Sequence, residues 1–232
     1  IKQGDGAQAN YRRSETLPRR ILKSFGMYYG KPYPRDHRRP ADAKRLLKKT
    51  PSDEQAHGAG FLDECSPQTT VNTQRMWSFD HPTLVKNTKK FRANTFGILA
   101  VNGTSIITFR ERSKQEDIRE VLKEYKRTNP NKRLIIVLDN FKSHPAILVR
   151  QYTAGNNIHL VHLPPYSPDL NPIEQIWRAI KREVSAIFVR DYEHLTATIA
   201  RAFEKLAMKR SYWEKWVETF LSPKYASRLL SK

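Results

Sequence analysis

The order of apolar patterns along this sequence predicts an α/β fold, a mixed sheet covered by helices. Three observations carry that expectation. Leu134-Ile135-Ile136-Val137-Leu138 is a continuous apolar run, the pattern of a strand buried on both faces. Asn102-Gly103 separates two β-rich stretches, 92–102 and 104–110, which reads as an antiparallel hairpin. Segments with helical apolar spacing follow each of the later strands, and that alternation puts helices over a partly parallel sheet.

Taken in order, residues 14–25 place Leu17, Ile21, Leu22 and Phe25 on one helical face, and Gly26 suits the end of that helix. Residues 31–40 mix Pro32, Pro34 and Pro40 with Arg35, Arg38 and Arg39 and read as an extended basic arm, joined to the rest by a second helix over 40–49. A short glycine-rich strand over 57–62 ends in Asp63-Glu64, and residues 65–90 form an irregular loop before the hairpin. Residues 113–128 form an amphipathic helix through Ile118, Val121, Leu122 and Tyr125. The buried strand over 133–139 terminates in Asp139-Asn140. A short helix over 145–154 and a strand over 158–163 come next.

Pro164, Pro165, Pro168 and Pro172 then forbid a regular helix or a central strand, so the segment up to Asn171 is a rigid, extended loop. Another helix starts abruptly there. Asn171 suits the N-cap and Pro172 the first helical position, with Ile173, Ile176, Trp177, Ile180 and Val184 on the apolar face. Helices over 192–208 and 212–221 complete the pattern. The organisation expected is a basic DNA-binding segment and linker (1–50), a catalytic domain (57–222) and a basic tail (223–232).

Charge narrows the function. The 232 residues carry 42 Lys and Arg against 23 Asp and Glu, a net +19, which argues for a polyanionic partner and above all for nucleic acid. Residues 1–60 alone hold 14 basic and 6 acidic residues. Arg19, Arg20 and Lys23 on the first helix, Arg35, Arg38 and Arg39 in the arm, and Arg178, Lys181 and Arg182 after Glu174 are the candidate phosphate contacts. The plainer reading of the N-terminal group is a solvated helix and linker. No apolar run of spanning length and no long basic amphipathic helix supports a membrane. Cys65 is the single cysteine, which excludes an intrachain disulfide and a cysteine-rich zinc site and fits a reducing interior, the cytoplasm. The start at Ile1 reads as a fragment whose own N-terminus is missing.

Three acids stand at telling positions. Asp63 ends the first strand, Asp139 ends the buried strand, and Glu174 opens a helix that follows another strand. Sites in open sheets form beyond the carboxyl ends of parallel strands. Oxygen-only donors favour Mg²⁺ or Mn²⁺ over zinc. Two such ions about 3.5–4 Å apart activate a water or hydroxyl and stabilise the leaving oxygen of a phosphodiester. Each acid also has a plainer reading. Asp63 can be a turn residue beside a functional Glu64, Asp139-Asn140 can initiate a turn, and Asp169 competes with Glu174. Glu174 itself can close a capping box with Asn171. The order and placement of the three favour the functional reading.

Asp139-Asn140 with His144, followed by Pro165-Tyr166-Ser167-Pro168-Asp169-Leu170-Asn171-Pro172-Ile173-Glu174, resembles the mariner-type superfamily of DDE transposases, most of all its prokaryotic insertion-sequence branch. Thirty-four residues separate Asp139 from Glu174, a spacing characteristic of that superfamily. Phe61-Leu62-Asp63-Glu64 with Pro67, Arg75 and Trp77-Ser78 resembles its first catalytic block. The resemblance covers about residues 58–220. It implies a ribonuclease-H-like mixed sheet flanked by helices, preceded by the end of a helix-turn-helix-type segment over residues 14–39. It also implies cutting at the ends of a mobile element and joining to a target, with double-stranded DNA as partner, a homodimer when active, and a place at the nucleoid. Asp63, Asp139 and Glu174 would hold two Mg²⁺ or Mn²⁺ ions, with Asn140, His144 and Asn171 supporting them. The alternative is a non-catalytic DNA-binding remnant with the same fold and basic surface.

Overall fold

A computed structural model describes residues 17–27, 36–49, 58–71, 83–130, 132–140 and 146–230. Two compact units make up the chain, residues 1–36 and 37–232.

In the first unit, α1 (Leu17–Ser24) forms where the apolar spacing predicts it. Gly26 ends it at φ +74°, and Met27 N–H reaches back to the Leu22 carbonyl at 3.1 Å. Leu17, Ile21, Leu22 and Phe25 are all exposed.

Among its described residues the second unit is built on five strands: β1 (Gly58–Cys65), β2 (Thr95–Ala100), β3 (Ile106–Phe109), β4 (Leu134–Leu138) and β5 (Ile158–His162). Their order is β3-β2-β1-β4-β5. β2 runs antiparallel to its two neighbours β3 and β1, and β1, β4 and β5 are parallel. β1 is longer than the sequence suggests, and Asp63 lies within it rather than beyond it. The reason is pairing: Gly60–Cys65 align with Thr95–Ala100 on one side while Gly58–Phe61 align with Leu134–Val137 on the other. A strand held by ladders on both edges does not need high intrinsic β-propensity.

The hairpin forms, but not through a two-residue Asn102-Gly103 turn. The last β2–β3 pair is Ile98 with Ile106, and residues 101–105 connect the two strands. Neither Asn102 nor Gly103 has the positive φ that a type I′ turn requires. Asn129, at the end of the helix that follows, shapes this loop instead. Its Oδ1 accepts from Thr104 N–H and its Nδ2 donates to the Thr104 carbonyl, both at 3.1 Å. A Cβ at position 103 would lie 2.2 Å from Asn129 Oδ1, so close approach is what demands glycine here.

Helices cover both faces. On one side α3 (Gln115–Thr128) and α4 (Ile147–Gly155) bury Ile118, Val121, Leu122, Tyr125 and Val149 against Leu62, Ile98 and Ile136. On the other, α5 (Ile173–Ala186), α6 (Tyr192–Ala207) and α7 (Glu214–Phe220) pack on Phe61, Leu99, Ile135 and Val137. Alternation along β1 puts Phe61, Asp63 and Cys65 on the α5 side and Leu62 on the other.

Two stretches belong to this core that the charge pattern assigns elsewhere. Residues 37–49, read with the basic N-terminal segment, carry α2 (Ala43–Lys49), whose Ala43 and Leu47 are buried with the sheet. Residues 223–230, read as a basic tail, form α8 (Pro223–Leu230) and bury Tyr225, Ala226 and Leu229. In both, two or three apolar side chains at helical spacing outweigh the lysines and arginines between them, whose long stems leave the charges in water. Among the described residues no helix is long and apolar enough to cross a membrane.

Candidate active site

Asp63 and Asp139 end up at the same level of the sheet. Phe61 is in register with Val137 on the neighbouring parallel strand, and each acid lies two residues further on. Asp63 is 7% exposed, and Asp139, just past the end of β4, is half-buried. Glu174 sits in the first turn of α5, half-buried, on the helix that packs over β1.

Asn171 bears on the capping-box reading of Glu174. Its side chain does not cap α5: Nδ2 donates instead to the Leu62 carbonyl at 3.2 Å, and α5 begins at Ile173 with no side-chain cap. The capping box is therefore absent. Six residues past Asn171, the Trp177 indole Nε1 donates to Asp63 Oδ2 at 3.1 Å. The motif thus grips Leu62 and Asp63 from both sides of Glu174.

The loop that delivers this motif is clamped. It is not extended throughout: Pro168–Leu170 make one 3-10 turn, and Tyr166 has φ +54°. Arg39, its side chain only 6% exposed, is ion-paired with Asp169. Arg38 lies over the Tyr166 ring, 4.0 Å from its centroid. Trp216 Nε1 donates to the Leu170 carbonyl at 2.7 Å. Asn140 Nδ2 donates to the Leu163 carbonyl, tying the end of β4 to the start of the loop. Asp169, the rival to Glu174, is thus occupied with Arg39. The same pair holds the Arg39 side chain against this loop, largely out of solvent.

Electrostatics tie the acids together. Burial raises the Asp63 carboxyl well above 3.8, and the charges of Glu174, Asp139 and Glu64 push it further. Glu174 is also raised, chiefly by burial, with Lys181 and Arg178 pulling it back down and Asp139 adding to the rise. Beside them burial pushes the Cys65 thiol up to about 11 against a hydrogen bond from Lys181. Because the folded Asp63 binds its proton more tightly than the unfolded chain does, this group stabilises the fold most at low pH. That contribution is lost as pH rises from about the unfolded value of 3.8 through the raised folded value. In chelator, Asp63→Asn is therefore expected to melt at or above the wild-type temperature at pH 7, with the advantage shrinking toward pH 4. Thermal melts at both pH values check this.

Among the described residues no three acidic, imidazole or thiol groups stand close enough to enclose a metal ion. The donor set nevertheless fits a hard divalent cation. All three side chains are carboxylates, each raised acid feels its neighbours' charge, and Asn171 Oδ1 is a buried oxygen with no hydrogen-bond partner beside them.

The other sequence candidates divide. Arg178, Lys181 and Arg182 run along the exposed side of α5 from Glu174. Arg19, Arg20 and Lys23 are exposed on α1. His144 and Arg35 lie outside the described residues, as do Arg75 and Trp77. Sequence reasoning missed two groups. Trp177 reads as one more apolar residue of its helix, though an indole N–H buried opposite an acid is a signal. His162, whose Nδ1 is 3.2 Å from the Asp139 carbonyl oxygen, reads only as part of a strand.

Comparison with known proteins agrees with this geometry. A pre-cleavage Mos1 transpososome structure superposes with a TM-score of 0.62 at 18% identity, covering 91% of this chain and 69% of that one. The catalytic domain of Mos1 mariner transposase superposes at 0.53 and 17% identity, covering 87% of this chain and 97% of that one. The fold is therefore ribonuclease-H-like, a five-stranded mixed sheet flanked by helices. The transposable element Tc1 transposase of Caenorhabditis elegans is 34% identical over 59 residues, 25% of this chain and 22% of that protein. The Tcb1 transposase of Caenorhabditis briggsae is 26% identical over 104 residues, 44% of this chain and 38% of that protein. The chain thus spans well under half the length of the curated transposases it matches. The sequence model of the DDE superfamily endonucleases matches residues 60–196, more than half of the chain. This chain belongs to the DDE superfamily endonuclease family.

Proposed function

We propose that this protein is a mariner-type transposase that cuts DNA at the ends of a mobile element and joins the freed 3′ hydroxyls to target DNA. The observation that carries the reading is the placement of Asp63 and Asp139 at one level of two neighbouring parallel strands, with Glu174 in the first turn of the helix that packs over β1. These three would hold the divalent cations, two Mg²⁺ or Mn²⁺ by the chemistry of phosphodiester cleavage. When bound, such ions supply positive charge that activates the attacking oxygen and stabilises the leaving one. The chain's own residues do the rest. Asn171 and Trp177 hold β1 against α5, the Arg39–Asp169 pair fixes the loop that carries Glu174, and Arg178, Lys181 and Arg182 offer their charges to the DNA backbone.

Mos1 structures are described as paired-end complexes with Mn and with Mg, which supports the same metals and a homodimer on double-stranded DNA for this chain. The prokaryotic insertion-sequence branch is our reading of the motif from Pro165 to Glu174, and a bacterial relative of unstated function, the uncharacterized protein y4pE/y4sA of Sinorhizobium fredii, is compatible with it. That relative is 30% identical over 73 residues, 31% of this chain and 52% of that protein. We take α1 and the basic segment around it as the end of a helix-turn-helix-type region.

The test pairs binding with nicking on one element-end duplex and one scrambled duplex. Binding is expected to weaken steeply with salt, each neutralised phosphate adding roughly −0.9 to the slope of log K against log salt. Mg²⁺ is expected to give nicks with 3′ hydroxyls. Binding without any nicking on either duplex would reduce the protein to a non-catalytic remnant.

A further inference from the structure

Trp177 sits three residues after Glu174, on the buried side of α5, and is 1% exposed. Its ring is fixed from two directions. It stacks on Phe203 with centroids 5.6 Å apart and planes 27° from parallel. It also fills the space over Gly97, where a Cβ would come within 2.7 Å of Cη2 and 2.9 Å of Cζ2. Gly97 is the residue directly opposite Asp63 in the β1–β2 ladder. The side chain missing at 97 is therefore the room through which the indole reaches Asp63, and its N–H meets Oδ2 at 3.1 Å. Burying a Trp N–H needs an acceptor, but any carbonyl would satisfy it. Here the acceptor is one oxygen of a buried acid whose neighbours are Asp139 and Glu174.

We propose that Trp177 is a positioning residue of the catalytic site: its indole N–H fixes Oδ2 of Asp63 and so sets the carboxylate's orientation. This rests on reading Asp63 as a metal-holding acid. The bond spans 114 residues of sequence, and it comes from the same helix that carries Glu174. One rigid segment thereby sets the orientation of one acid and the position of another. Hydrogen-bond partners that orient metal ligands are each worth about 10–100-fold in affinity or activity.

The experiment uses Mn²⁺ alone as the probe, with binding followed calorimetrically and by the electron paramagnetic resonance of the free ion. Nicking and thermal melting are measured on the same samples. Trp177→Phe keeps the ring packed but removes the N–H. The expected result is a folded variant that binds Mn²⁺ and nicks about 10–100-fold less well, with DNA affinity unchanged. Gly97→Ala keeps the N–H but pushes the ring, and the same direction of change is expected. In the wild type, Mg²⁺ is expected to shift the Trp177 indole N–H resonance, assigned through its contacts to the Phe203 ring. That measurement decides the matter if either variant fails to fold. Wild-type Mn²⁺ affinity in a folded Trp177→Phe, or an indole resonance that ignores Mg²⁺, would overturn the role of Trp177. Asp63→Asn separates the two claims. If it binds Mn²⁺ and nicks like wild type, the reading of Asp63 fails; if it loses both while Trp177→Phe loses neither, only the role of Trp177 fails.

Discussion

Replacing Glu174 by Gln is expected to abolish most metal-dependent nicking while leaving the protein folded and bound to DNA. The substitution keeps size and hydrogen-bonding capacity and removes one charged oxygen donor. A group that merely orients a metal ligand is worth about 10–100-fold, so loss of a donor itself should cost at least about 100-fold. The fold has little to lose, because the side chain of Asn171 is bonded to Leu62 and closes no capping box with Glu174. Glu174 is half-buried with a raised carboxyl and adds to the burden on Asp63. The melting temperature in chelator should therefore stay level or rise slightly. Asp169→Asn should keep far more activity, since Asp169 faces Arg39 and acts through the loop. Nicking rates, melting curves and DNA affinity of the two variants, measured side by side, check this.

Metal identity should matter nearly as much. Nicking is expected with Mg²⁺ or Mn²⁺ and to vanish in EDTA, because an all-carboxylate set of donors suits a hard divalent cation, and the raised Asp63 carboxyl feels the charges of both Glu174 and Asp139. Arg178 and Lys181 do reach Glu174 electrostatically, but burial still leaves its carboxyl raised. Ca²⁺ is expected to support binding with little cleavage, since its larger and less regular shell misplaces the reacting oxygens. Cleavage products quantified across the four conditions check this, and full activity in EDTA would remove the metal from the mechanism.

The parts of this architecture written in local pattern were legible in the sequence. The apolar run of β4, the helical face of α3 and the proline-rich loop before α5 each announce themselves within a few residues. What was not legible depends on distant partners. Asp63 sits inside β1 because β2 pairs with the strand through Cys65, and nothing in Gly58-Ala59-Gly60 signals that length. Asn171 is a good cap by type, yet its side chain is drawn to Leu62, 109 residues away. Trp177 looks like core and is core, and only the register that sets Gly97 against Asp63 gives its N–H a second role. Nor does net charge show which basic segments also carry core contacts: Leu47 and Leu229 are buried with the sheet's own side chains.

The measurement closest to the central claim is Mn²⁺ binding and nicking by wild type and by Asp63→Asn, Asp139→Asn and Glu174→Gln, each first shown to be folded. If the three carboxylates form one metal site, every single replacement weakens Mn²⁺ binding and drops nicking by about 100-fold or more, above the range seen for groups one step removed from a metal. A folded variant of any of the three that binds Mn²⁺ and nicks like wild type would contradict the site.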